Sequence, residues 1–146
     1  MKEDTATVAE FRRPRFPGHP LEAIRGLDYT ILFARDMAAM KPFYERTMRF
    51  EHYYSLGEGW HEYRVGRNLL VLCTPGLVFP DATLPIGTAA VQLAFQVRRE
   101  EVDACEAALR ADGVAILAPS KDQPWGHRTM FFRDPDGNLL EIYADI

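Results

Sequence analysis

Residues 125–143, WGHRTMFFRDPDGNLLEIY, decide the fold. Pro135, Asp136, Gly137 and Asn138 make a turn in which Gly or Asn is free to take positive φ. The runs on either side, Arg128–Phe132 and Leu139–Tyr143, are rich in aromatic and aliphatic residues and predict two strands joined by that turn. Alternation along the second run sets Leu140 and Ile142 on one face and Leu139, Glu141 and Tyr143 on the other.

Working outward, Ala90–Val97 (AVQLAFQV) predicts a strand. Glu100–Asp112 predicts a helix with Val102, Cys105 and Leu109 on one face and Gly113 as its C-terminal stop. Val114–Leu117 predicts a further strand. The same order occurs earlier in the chain. Leu27–Ala34 (LDYTILFA) is a strand, and Asp36 caps a helix whose face is Met37, Met40, Phe43, Tyr44 and Met48. That helix ends near Arg49, with Pro42 in its first regular turn. Glu51–Ser55, Trp60–Val65 and Leu69–Thr74 are three short strands. The pattern repeats with a period of about 63 residues, Leu27 corresponding to Ala90. Pro75–Gly87 carries three prolines and two glycines and reads as a linker. The expected organisation is an extended arm over residues 1–25 and one domain over 26–146. Module one spans 26–75, the linker 76–88 and module two 89–146.

Composition narrows the function classes. The chain has 146 residues, 47% hydrophobic and 26% charged, with a net charge of −4. One globular domain is expected. The acidic balance argues against a nucleic-acid partner, because phosphate binding needs a basic surface. Arg12, Arg13 and Arg15 sit in a Pro-rich stretch and read as a solvated arm. No apolar run approaches the roughly 18 residues of a membrane helix, and Met1–Glu10 lacks a signal-peptide core. Cys73 and Cys105 have no metal-binding spacing and read as small buried hydrophobes of a reducing compartment, the cytoplasm.

Three stretches carry a family resemblance: LDYTILFARDM (27–37) with FYERTMRF (43–50), VQLAFQV (91–97), and the closing WGHRTMFFRDPDGNLLEIY. In this order they resemble the vicinal oxygen chelate superfamily of glyoxalase, bleomycin-resistance and extradiol-dioxygenase proteins. The resemblance implies an α+β fold, two βαβββ modules forming a concave mixed sheet around a cavity, with the helices outside. Arg49 stands where the family usually has a helix-ending glycine. The faces assigned to the cavity are Tyr29, Ile31 and Phe33 on the first strand, and Leu69, Val71 and Cys73 on the fourth. On the strand 90–97 they are Gln92, Ala94 and Gln96, and on the last strand Leu139, Glu141 and Tyr143.

Metal-using members place four ligands on the first and last strands of each module, where the ion acts as a Lewis acid. The matching positions here are Tyr29, Val71, Gln92 and Glu141. Glu141 is the strong donor among them, Gln92 offers a neutral carbonyl, Tyr29 would have to lose its proton, and Val71 has no donor. No cofactor is therefore expected. A divalent ion, if used, would take Glu141 and Gln92 with His61 or His127. The bland reading of both histidines is a partly exposed strand or loop residue. A metal-free Glu141 in an apolar cavity would have its charged form disfavoured and would suit acid/base catalysis. Its candidate partners are Gln92, Tyr29 and Arg128. The competing reading is a structural carboxylate bonded to Gln92 or Tyr29.

Tyr29, Phe33, Trp60, Tyr63, Trp125 and Tyr143 are candidate aromatic walls for a flat or hydrophobic ligand. The expected ligand-contact set is Tyr29, Phe33, Trp60, Val71, Gln92, Trp125, Arg128, Glu141 and Tyr143. The first expectation is a small-molecule-binding protein without the usual ligand set, homodimeric as the resemblance implies. The second is a lyase, isomerase or dioxygenase-like enzyme that uses Glu141. The third is a module whose cavity is filled by its own side chains, which a volume below about 300 Å³ would favour.

Overall fold

A computed structural model describes residues 18–24 and 26–146. Residues 1–17, the greater part of the expected arm, lie outside the described residues. Pro20–Ala23 is a short 3-10 turn, with His19 Nδ1 accepting from the Leu21 N–H at 3.2 Å.

The order strand, helix, three strands occurs twice. Module one contains β1 (Tyr29–Phe33), α1 (Met37–Pro42), β2 (Glu51–Ser55), β3 (Trp60–Val65) and β4 (Asn68–Cys73). Module two contains β5 (Gln92–Gln96), α2 (Arg99–Ala111), β6 (Ile116–Asp122), β7 (His127–Arg133) and β8 (Leu139–Asp145). Each module forms a four-stranded mixed sheet, ordered β1-β4-β3-β2 and β5-β8-β7-β6. In each, the first strand pairs in parallel with the last: Tyr29 opposes Leu69, and Ala94 opposes Glu141. The fold is therefore the α+β double module expected.

Two proline positions depart from the reading above. Pro42 closes the regular helix instead of opening it. Asp36 caps α1 by accepting from the Ala39 N–H at 3.1 Å. Pro42 has no N–H for the ladder, and the next turn, Phe43–Thr47, is π-helical. Arg49 follows at φ +60°, the left-handed conformation that the family's glycine would adopt freely. Pro119 lies inside β6, which runs well past Leu117. β6 is an edge strand with two register shifts, where a missing donor is tolerated.

Period-two alternation sorts the side chains as expected, apart from Tyr63, which turns away from the open face. Leu32, Leu70, Leu72, Tyr63, Met130, Phe132, Leu140 and Ile142 point to the helices and join Met40, Tyr44, Val102 and Leu109 in one apolar cluster. That cluster draws on both modules, and Phe50 meets Phe95 across them at 5.5 Å. The opposite faces carry Tyr29, Ile31 and Phe33 in module one, and Gln92, Ala94 and Gln96 in module two, all exposed.

The turn that decided the fold also joins the modules. The Asp136 carboxylate is fully buried and accepts from the Arg35 N–H at 2.6 Å and the Asp36 N–H at 3.0 Å. The Arg35 guanidinium donates to the carbonyls of Pro85, Thr88 and Asp136 at 2.7–3.0 Å. Its Nε makes only an ionic contact with Asp136, 3.5 Å away. Asp134 accepts from the Tyr44 hydroxyl at 2.8 Å. Burial and the Asp134 charge beside it push that phenol well above the ordinary tyrosine range. One turn thus holds the start of α1, the π-helical turn that follows it and the linker.

Candidate functional site

The linker residues 75–83 border the open face of module one and enclose a pocket of about 480 Å³. Its floor is Ile31, Phe33, Trp60 and Cys73, from β1, β3 and β4, and its outer wall includes Val78, Phe79, Asp81 and Thr83. Alternation explains the floor: Trp60 opposes Cys73 in the β3–β4 register, and Ile31 and Phe33 share the face opposite Leu32. Phe33 is 59% exposed and Phe79 70%, so the pocket opens to solvent with aromatic surface left uncovered. The Trp60 indole N–H donates to Glu62 Oε1 at 2.7 Å, which fixes the ring plane. Burial raises the Cys73 thiol pKa, keeping it protonated and a poor nucleophile. A second pocket of about 350 Å³ shares Ile31, Phe33, Ala82 and Thr83 and continues to Arg35, Val91 and Asn138.

A family model for the Glyoxalase/Bleomycin resistance protein/Dioxygenase superfamily matches residues 26–142. The chain belongs to this superfamily. Solved structures agree on the fold. Lactoylglutathione lyase from Agrobacterium tumefaciens is 24% identical with a TM-score of 0.70, covering 84% of this chain and 95% of its own. A glyoxalase/bleomycin resistance protein/dioxygenase from Nocardioides is 18% identical with a TM-score of 0.74, covering 97% and 91%. A glyoxalase/dioxygenase from Nostoc punctiforme is 20% identical with a TM-score of 0.66, covering 85% and 93%. A comparison with curated proteins finds no match.

The residues at the superfamily's ligand positions do not fit an ion within this chain. Gln92 Nε2 donates to Glu141 Oε2 at 3.2 Å on the second sheet, whereas Tyr29 and Val71 belong to the first. Val71 is fully buried and carries no lone pair. His61 shares a strand face with Tyr63, toward the helices, and is itself buried. Its Nδ1 lies 2.7 Å from Ser55 Oγ and its Nε2 3.1 Å from the Glu58 carbonyl. It is a hydrogen-bonded structural histidine, neither ligand nor exposed strand residue. His127 meets Asp145 at 3.2 Å and packs on Tyr143 at 4.9 Å. Its position lies four residues along β7 from Phe131, the partner of Glu141, or about 13 Å at the usual strand rise. Among the described residues, no group of three or more His, Cys, Asp or Glu side chains is placed to hold a metal.

Two further expectations, for Arg128 and Tyr63, are corrected in this superfamily member. Arg128 shares the helix-facing side of β7 with Met130 and Phe132. It binds Asp103 and Asp122, both at 2.8 Å, and not Glu141. Tyr63 is fully buried on the helix side, with its hydroxyl donating to Glu45. Trp125 is exposed in the β6–β7 turn, on the module opposite the pocket. Of the expected contact residues, Phe33 and Trp60 line the pocket. Tyr29, Val71, Gln92, Glu141 and Tyr143 are not among its walls. The sequence reading missed Val78, Phe79 and Asp81 because they lie in a linker without periodicity. The signal available was an apolar pair, Val78-Phe79, inside a Pro- and Gly-rich stretch.

Proposed function

We propose that this superfamily member binds a small hydrophobic or aromatic molecule in the module-one pocket, and that binding, not turnover at Glu141, is its activity. The observation that carries this reading is the pocket of about 480 Å³ with Phe33, Trp60 and Phe79 among its walls. The volume lies within the usual range for ligand sites and above the filled-cavity limit of about 300 Å³. The pairing of Glu141 with Gln92 supports its structural reading. A homodimer is the assembly that the resemblance implies, and the free thiols of Cys73 and Cys105 suit a reducing compartment such as the cytoplasm.

Nile red, a neutral hydrophobic dye, tests the site by its emission on binding. Phe33→Ala and Trp60→Ala are expected to weaken binding about tenfold or more, since each removes a large buried contact worth about 1.5 kcal/mol or more. Glu141→Gln should leave affinity within about twofold, the scatter of a contact that is not made. Circular dichroism checks that each variant folds. Loss of binding in Glu141→Gln with Phe33→Ala and Trp60→Ala unaffected would move the site to the second module.

A further inference from the structure

We infer that the pocket selects organic cations, hydrophobic or aromatic molecules carrying an ammonium group, an inference that rests on the binding reading above. The pocket walls contain one formal charge, Asp81, and no Lys, Arg or His. None of the ion pairs among the described residues involves Asp81. Its charge is thus open to a ligand at the mouth of an apolar space.

The remaining walls suit the same chemistry. Phe33, Trp60 and Phe79 supply aromatic rings, whose faces attract a cation through the ring quadrupole, Trp most strongly. The Trp60 N–H donates to the Glu62 carboxylate, which pushes electron density into the indole and sets a second negative charge at its edge. Arg64, the nearest cation along β3, is stacked on the Tyr53 ring at 4.2 Å and is absent from the pocket walls. A carboxylate or phosphate ligand would enter an acidic protein of net charge −4 and find no donor side chain of opposite charge among those walls.

Competition against Nile red with three naphthalene probes of matched size tests this. They carry trimethylammonium-methyl (cationic), neopentyl (neutral) and sulfonate (anionic) groups. The cation should displace the dye at roughly tenfold lower concentration than its neutral isostere, and the sulfonate should be weakest. Asp81→Asn should reduce the cation's advantage over its neutral isostere to about threefold or less, leaving the aromatic contribution. Added salt should weaken the cation and not the neutral probe. Equal potency of cation and neutral probe, with Nile red still bound, would overturn the charge selection and leave the pocket reading standing. Absence of Nile red binding would overturn both.

Discussion

Gly137→Ala should lower the urea midpoint by an amount equivalent to about 2–5 kcal/mol. Two costs combine. Gly137 sits at φ +92°, where a side chain is strained by about 1–2 kcal/mol. An added Cβ would also lie 2.6 Å from the backbone C and O of Gly87 in the linker. Those atoms are backbone and cannot rotate aside, so the turn or the linker must shift, at about 1–3 kcal/mol. Gly113→Ala is the matched control. It has φ +79° with nothing within 4 Å of its Cβ, so it carries the conformational cost alone, about 1–2 kcal/mol. Equal losses in the two variants would show that the linker does not press on the closing turn.

Asp136→Asn should cost about 3–5 kcal/mol, the usual penalty for breaking a buried ion pair from one side. The Arg35 and Asp136 side chains are 5% and 0% exposed, so water cannot replace the lost charge. Both carboxylate oxygens accept from backbone N–H groups, one from Arg35 and one from Asp36. An asparagine fills the same volume but turns one acceptor into a donor, which would face an N–H. Chemical denaturation measures the loss, and a cycle with Arg35→Gln should give a coupling above about 1 kcal/mol. A loss under about 1 kcal/mol would mean the pair is not holding the modules. The same arginine grips the Pro85 and Thr88 carbonyls, so Asp136→Asn should also loosen the pocket's outer wall and weaken Nile red.

The double module was legible because each half repeats the same periodicities, and the alternation on β1, β5 and β8 assigned their faces correctly. Arg128 was misassigned against that same rule: it alternates with Met130 and Phe132, so its helix-facing position was readable. Tyr63 likewise lies two residues from His61 and one from Glu62, and the strand's period separates Trp60 and Glu62 from both. Other features had no local signal. Asp136 and Arg35 are 101 residues apart, and a DPDG turn looks the same whether or not it clamps a distant helix. The path of the linker across module one depends on those long-range bonds, so the pocket it walls could not be read from its composition. The shared cavity with Glu141 at its base followed from the resemblance, and the binding site we propose lies instead on module one.

Amide chemical-shift mapping with a saturating neutral aromatic probe tests the location of the site most directly. The expected result is perturbation at Ile31, Phe33, the Trp60 indole and Val78–Thr83, with Gln92, Glu141 and Tyr143 unmoved. Perturbation centred on Gln92, Glu141 and Tyr143, with the linker unmoved, would contradict it.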